Sequence, residues 1–195
     1  MAKKKPVQQS GKSLVTKVDQ SPYIDTIVLC GDVTDEMALN VIKEIEECNY
    51  AKKRGDLPEG CRIKMIINTT GGEIYSGLSI VSAMEHSSVP VDTYVFGSAF
   101  SMGIIIAMAG ARRYGSRYST FMWHGIKVSH DMAPFSKIKI DNEHFKFLQD
   151  LLFAIAQRKS KIKQKVLSSY VNGGDDYFMS AVTAKKNGVI DEIVA

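Results

Sequence analysis

Short apolar runs that end in glycine-rich turns, each followed by helical periodicity, recur along this chain, and no other feature narrows its fold as far. Residues 24–29 read as a buried strand and Gly31-Asp32 as a turn. Thr34 with Asp35 and Glu36 then opens a helix, since the acids suit the positive end of its dipole and Ala38, Val41, Ile42 and Ile45 follow at helical spacing. Residues 48–62 read as a polar loop around Gly55, Pro58 and Gly60, leading to a second strand over 63–68. A helix opens after Gly71-Gly72 with Ile74, Leu78 and Val81 on one face. Pro90 introduces a third strand over 91–96, followed by the turn 97–103 and an apolar helix over 104–111.

Strand-then-helix units in succession imply a mainly parallel sheet with right-handed crossovers, an α/β class in which functional residues collect at the carboxyl ends of the strands. Both glycine-rich turns fall at such ends. A fourth strand, 118–123, ends at His124. Beyond it the pattern predicts a long helix over 141–159 with Phe145, Leu148, Leu152 and Ile155 in register, and a helix over 162–170. A short helix capped by Ser180 and ended by Gly188, and a closing strand at 189–190, complete the reading.

Length and charge narrow the classes of function. The 195 residues suit one domain over 21–195, preceded by a polar, aperiodic arm over 1–20. Of the net charge of +4, Lys3, Lys4, Lys5 and Lys12 account for the whole, so the body is near neutral and carries no footprint for nucleic acid or an anionic membrane. No apolar stretch follows Lys5 as a signal peptide requires, and the longest apolar run, 102–111, is about half a bilayer span. A cytoplasmic setting is expected, or an organelle stroma, or the bacterial cytoplasm for a virus-encoded chain. Cys30, Cys48 and Cys61 have no C-x-x-C spacing and read as reduced thiols that mostly pack as small hydrophobes.

Ser101 lies in a small-residue strand-to-helix turn, Ala99-Phe100-Ser101-Met102-Gly103, close to the nucleophile-elbow pattern. Such a turn aims the first helical amides, including that of Met102, at an oxygen beside the serine. The same small residues also permit plain close packing. Gly71-Gly72 opens a helix after a strand, so its amides either approach a ligand or serve a tight turn. His124 ends a strand, whereas His86, His130 and His144 fall at a helix end, in a polar loop and on a helix face. No histidine spacing supports a metal. Asp175-Asp176 is by itself a solvated turn.

Read in order, Asn68-Thr69-Thr70-Gly71-Gly72, the segment 97–103, Phe121-Met122-Trp123-His124, and Asp176-Tyr177-Phe178-Met179-Ser180-Ala181 with Gly188-Val189-Ile190-Asp191 resemble the proteolytic subunits of the Clp protease family. The resemblance implies a crotonase-like α/β fold with mainly parallel strands, crossover helices and a long protruding handle helix. It implies a serine endopeptidase in which Ser101 is the nucleophile, His124 the general base and Asp176 its orienting acid, with the Gly72 and Met102 amides as the oxyanion hole. It further implies homo-oligomeric heptameric rings stacked as a tetradecamer, fed with unfolded polypeptides by a hexameric AAA+ Clp ATPase. The subunit itself then needs no cofactor, the ATP being used by the unfoldase. Two other readings share some of these features: a catalytically idle ring subunit beside active paralogues, and a crotonase-type acyl-CoA enzyme.

Some positions depart from the family pattern. Thr69-Thr70 stand where Ser-Pro is usual, Gly125-Ile126 replace Gln-Pro after the histidine, and Lys64-Met65-Ile66 replaces aromatics that help line the unfoldase docking pocket. Asp175 stands where many relatives carry an arginine that bridges two rings, so another cation in that contact is expected, with Lys137 and Lys139 as candidates.

Overall fold

The computed structural model describes residues 22–127 and 135–194, with residues 135–140 described by their backbone only. The arm over 1–20, His130 and the side chains of Lys137 and Lys139 therefore lie outside the described residues. A seven-stranded sheet forms the centre. β1 (Tyr23–Cys30), β2 (Arg62–Thr69) and β3 (Val91–Phe100) pair in parallel in that order, connected by α1 (Asp35–Arg54) and α2 (Ile74–His86). The alternation of buried positions along β2 reflects a strand with one face in the core: Ile63, Met65 and Ile67 are all fully buried.

β3 forks the sheet. Its first half, Thr93–Val95, pairs with β4 (Arg113–Ser116), and its second half, Ser98–Phe100, pairs with β5 (Thr120–Trp123). Gly97 sits between the halves with φ 108°, and the register against β2 shifts at the same level. The side chain of Asn68 takes over there: its Oδ1 accepts from the Ser98 amide at 3.1 Å and hydroxyl at 3.2 Å, leaving no room for a Cβ on Gly97. Strand three thus runs through the first part of the turn expected at 97–103, as far as Phe100, kinked rather than ended, a bulge of the kind that re-aims a strand near a functional site.

α3 (Met102–Ala109) leaves the end of β3 and is buried at every residue. Gly77 of α2 lies against Met102, and Gly103 against Thr69, so neither position has space for a side chain. α4 (Phe135–Lys159) and α5 (Gln164–Gly173) follow, then β6 (Tyr177–Ser180), α6 (Ala181–Lys186) and β7 (Glu192–Val194), which pairs with β4. β6 runs antiparallel to β5, the one antiparallel pairing in an otherwise parallel sheet of described strands. Among the described residues no helix is long and apolar enough to cross a membrane.

Several expected boundaries move. The polar loop expected from Cys48 is helical to Arg54, because Cys48 continues the buried stripe Ala38, Val41, Ile45 and the last turn carries Lys52, Lys53 and Arg54 before the left-handed Gly55. Burial and the nearby Asp25 push the Cys48 thiol up to about 11, in keeping with an inert, packed cysteine; Cys61 is buried too, whereas Cys30 is exposed. The strand expected at 118–123 shortens to β5, Thr120–Trp123, because an exposed Tyr118 sits in the turn before it; β4, Arg113–Ser116, is a further strand ahead of that turn. Val189 and Ile190 are buried but unpaired in the sheet; the closing strand is Glu192–Val194. Ser180 does cap α6, accepting from the Thr183 amide at 3.3 Å.

A buried ion pair ties the start of β2 to β3. Asp92, fully buried, accepts from Arg62 Nε at 2.6 Å, the Arg112 amide at 2.9 Å and the Tyr23 hydroxyl at 3.0 Å. Beside it Lys64 Nζ stands 4.7 Å over the Tyr94 ring, a cation–π contact on this face of the sheet.

Candidate active site

The sheet brings the sequence-distant candidates together by register. Phe100 pairs with Met122, and the Ser101 amide donates to the Met122 carbonyl at 2.9 Å, so the residue after β3 is fastened to the strand that delivers His124. Ser101 has φ 53° and ψ −121° and is, among the described residues, the only non-glycine with positive φ. A backbone this unfavourable persists only where the surroundings hold it, and such strain clusters at functional sites. The Ser101 hydroxyl makes no capping bond to α3, which leaves it available to a ligand. As the first residue of α3, Met102 has an amide with no intrahelical acceptor.

The diglycine closes the other side. The Val33 amide donates to the Gly71 carbonyl and the Glu73 amide to the Val33 carbonyl, each at 2.8 Å, clamping the peptide units around Gly72. Gly72 has φ 148°, and a Cβ there would lie 2.4 Å from the Val33 oxygen. The threonines that replace Ser-Pro serve the same turn: Thr69 Oγ1 accepts from the Gly71 amide at 3.0 Å, and Thr70 Oγ1 donates to Asp32 at 3.2 Å. Val33 was not singled out by sequence reasoning, since a lone valine after a turn carries no pattern.

A cavity of about 210 Å³ lies between these elements, lined by Gly72, Ser101, Met102 and His124 with Leu152 of α4 and Lys127. Its floor is firm: Trp123 is buried and stacks on Phe153 of α4, ring centroids 5.7 Å apart. Gly125 lets Val171 of α5 approach within 2.9 Å of where a Cβ would be.

Asp176 arrives from the far end of the chain through β6. The antiparallel register pairs Trp123 with Tyr177, which sets the residue after the first, His124, beside the residue before the second, Asp176. The carboxylate is half-buried and its Oδ1 accepts from Lys127 Nζ at 3.3 Å. Burial, and then the Lys127 ammonium, hold the His124 imidazole below its ordinary value, while the Gly125 backbone and Asp176 pull the other way. His124 is thus favoured in the neutral form that a general base requires. Lys127 is the residue that sequence reasoning missed, because one lysine in a short loop reads as solvated. Of the other histidines, His86 is the last residue of α2, its Nδ1 bonded to the Ser82 carbonyl at 2.8 Å, and His144 is exposed on α4, bonded to the Tyr75 hydroxyl.

A forked, mostly parallel sheet with crossover helices and a strained serine at a strand-to-helix elbow defines an α/β protein with hydrolase features, and the family it matches gives that fold its crotonase-like class. The family model described as Clp protease matches residues 11–195. An ATP-dependent Clp protease proteolytic subunit of Streptococcus gordonii is 33% identical over 181 residues, spanning 87% of this chain and 84% of that protein. Proteins of the same description from Cyanophora paradoxa and Deinococcus radiodurans are each 33% identical, spanning 67% and 68% of this chain and 67% and 64% of their own lengths. The chain belongs to the Clp protease family. It is accordingly a proteolytic subunit of serine type.

Proposed function

We propose that Ser101, His124 and Asp176 form the catalytic triad of a serine endopeptidase that hydrolyses unfolded polypeptides. His124 takes the Ser101 hydroxyl proton as Oγ attacks the scissile carbonyl, and the oxyanion is held by the Gly72 and Met102 amides. His124 then returns the proton to the leaving amine, and water, deprotonated by the same imidazole, releases the acyl group from Ser101. Asp176 orients the imidazole and stabilises its cation. The observation that carries this reading is the strained Ser101 elbow facing His124 across one cavity, with Asp176 beside His124 by strand register.

The domain is the single unit over 21–195, with the arm over 1–20 influencing substrate entry. The subunit assembles in heptameric rings stacked as a tetradecamer and receives substrate from a hexameric AAA+ Clp ATPase, which consumes the ATP; the subunit uses no cofactor and no metal. It acts in a cytoplasm or organelle stroma, on neither nucleic acid nor membrane. Presence of all three triad residue types weighs against an idle ring subunit, and an acyl-CoA enzyme needs no strained serine. Treatment of the full-length chain with a fluorophosphonate tests the proposal. Stoichiometric labelling at Ser101, lost in Ser101→Ala, is expected; an unlabelled chain that is fully folded would overturn it.

A further inference from the structure

One contact in the site works against the triad as just assigned, and the inference drawn from it rests on that assignment. The β5–β6 register delivers Asp176 beside His124. Yet the carboxylate is engaged elsewhere, by Lys127 Nζ at 3.3 Å. His124 Nδ1 is buried and, among the described residues, makes no hydrogen bond of acceptable geometry. A buried polar atom without a partner is a costly arrangement, and a general base works poorly unless its Nδ1 proton is held. The group able to hold it is the carboxylate that Lys127 occupies.

Among the described residues no other side chain is a candidate, and the Gly125 backbone, which favours the imidazolium, is not in hydrogen-bond geometry with Nδ1. The charged groups reaching the imidazole are, among the described residues, Lys127 from its own loop and Asp176 from the α5–β6 turn. Ser101 and Ile105 from the head of α3, and Leu152 from α4, are uncharged walls of the cavity. Gln149 of α4 spends its Oε1 on the Ile126 amide at 2.9 Å. Asp175, next to Asp176, is exposed.

We propose that Lys127 is a positioning residue that holds the Asp176 carboxylate off His124 Nδ1, so that the triad is completed only when this ion pair opens. The pair suits a releasable contact. The lysine side chain is 67% exposed, and exposed pairs of this kind are weak, shifting an equilibrium by a factor of about two to five. A bond from Nδ1–H to the freed carboxylate forms in a less hydrated place and gains charge assistance as His124 takes its proton. Lys127 also lies in a segment that departs from the family pattern directly after the histidine.

The test compares full-length wild type, Lys127→Met and Lys127→Arg across pH, reading the rate of fluorophosphonate labelling at Ser101 and kcat/KM for a small fluorogenic peptide. Lys127→Met is expected to speed both about two- to five-fold near neutral pH. It should also move the acid limb of the profile to higher pH, because Asp176 then stabilises the imidazolium unopposed. Lys127→Arg, which keeps the cation, should retain the wild-type limb. Should Lys127→Met not fold, Lys127→Gln carries the same expectation at this exposed position. An unmoved limb, or a slower Lys127→Met, overturns the role of the lysine. Absence of Ser101 labelling in every form overturns the triad assignment beneath it, and so separates the two failures.

Discussion

Gly71 lies so close to Ser101 that a Cβ on the glycine would stand 2.6 Å from the serine Cβ and 2.8 Å from the Phe100 carbonyl oxygen. The diglycine turn and the elbow are therefore one packed unit, and the φ of 102° at Gly71 adds a conformation that other residues rarely adopt. Gly71→Ala is expected to push the elbow aside and reduce kcat for a small peptide by about a hundredfold, the scale of an ångström of misplacement. A variant with wild-type turnover and an unchanged melting curve would show that the elbow tolerates the shift.

Ser101→Ala is expected to remove roughly six orders of magnitude of kcat, since a triad acts as a unit, while ring assembly persists. Peptide turnover measured beside native mass spectrometry checks both halves.

The environment of His124 sets a pH dependence. Burial and Lys127 lower the imidazole below its ordinary value, so the acid limb of kcat/KM should lie below about 6.5. The sign for stability follows. As pH falls through about 6.5 the unfolded chain takes up this proton before the folded one does, so folding stability contributed by His124 declines with falling pH and is fully present above that range. Denaturant unfolding of wild type and His124→Gln between pH 5 and pH 8 measures the difference; equal pH slopes would contradict it.

Asp92 is fully buried on Arg62, whose charge is reinforced by that hydrogen bond despite partial burial. Asp92→Ala leaves the guanidinium and the Arg112 amide without their acceptor, and a loss of about 3–5 kcal/mol in unfolding free energy is expected. A change within the range of ordinary surface substitutions would refute the structural weight given to this pair.

Asp175 is exposed at the turn before Asp176, a position where the resemblance to the family implies an arginine between rings. With an acid there, Lys137→Ala or Lys139→Ala should lower both assembly and activity, or the double ring should separate into single rings as salt rises. Native mass spectrometry over a salt series, with both variants, decides. A double ring stable in molar salt and indifferent to both substitutions would leave Asp175 without consequence.

The sequence by itself determined the alternation of strands and helices, the helix start at Thr34, the cap at Ser180 and the glycine-rich turns at strand ends, because periodicity, caps and glycines act over a few residues. Resemblance of short blocks also singled out Ser101, His124 and Asp176 before any geometry existed. Only the tertiary structure decided how they meet. β4 and β6 escaped notice because Arg113–Ser116 and Tyr177–Ser180 are short and get their hydrogen bonds from strands distant in the chain. Val189 and Ile190 suggested a strand because apolarity signals burial, and burial came without pairing. The fork at Gly97 depends on the Asn68 side chain, and the lysine on Asp176 depends on two loops folding against each other. Those contacts join residues tens of positions apart, where local pattern carries no information and the register of the sheet supplies it.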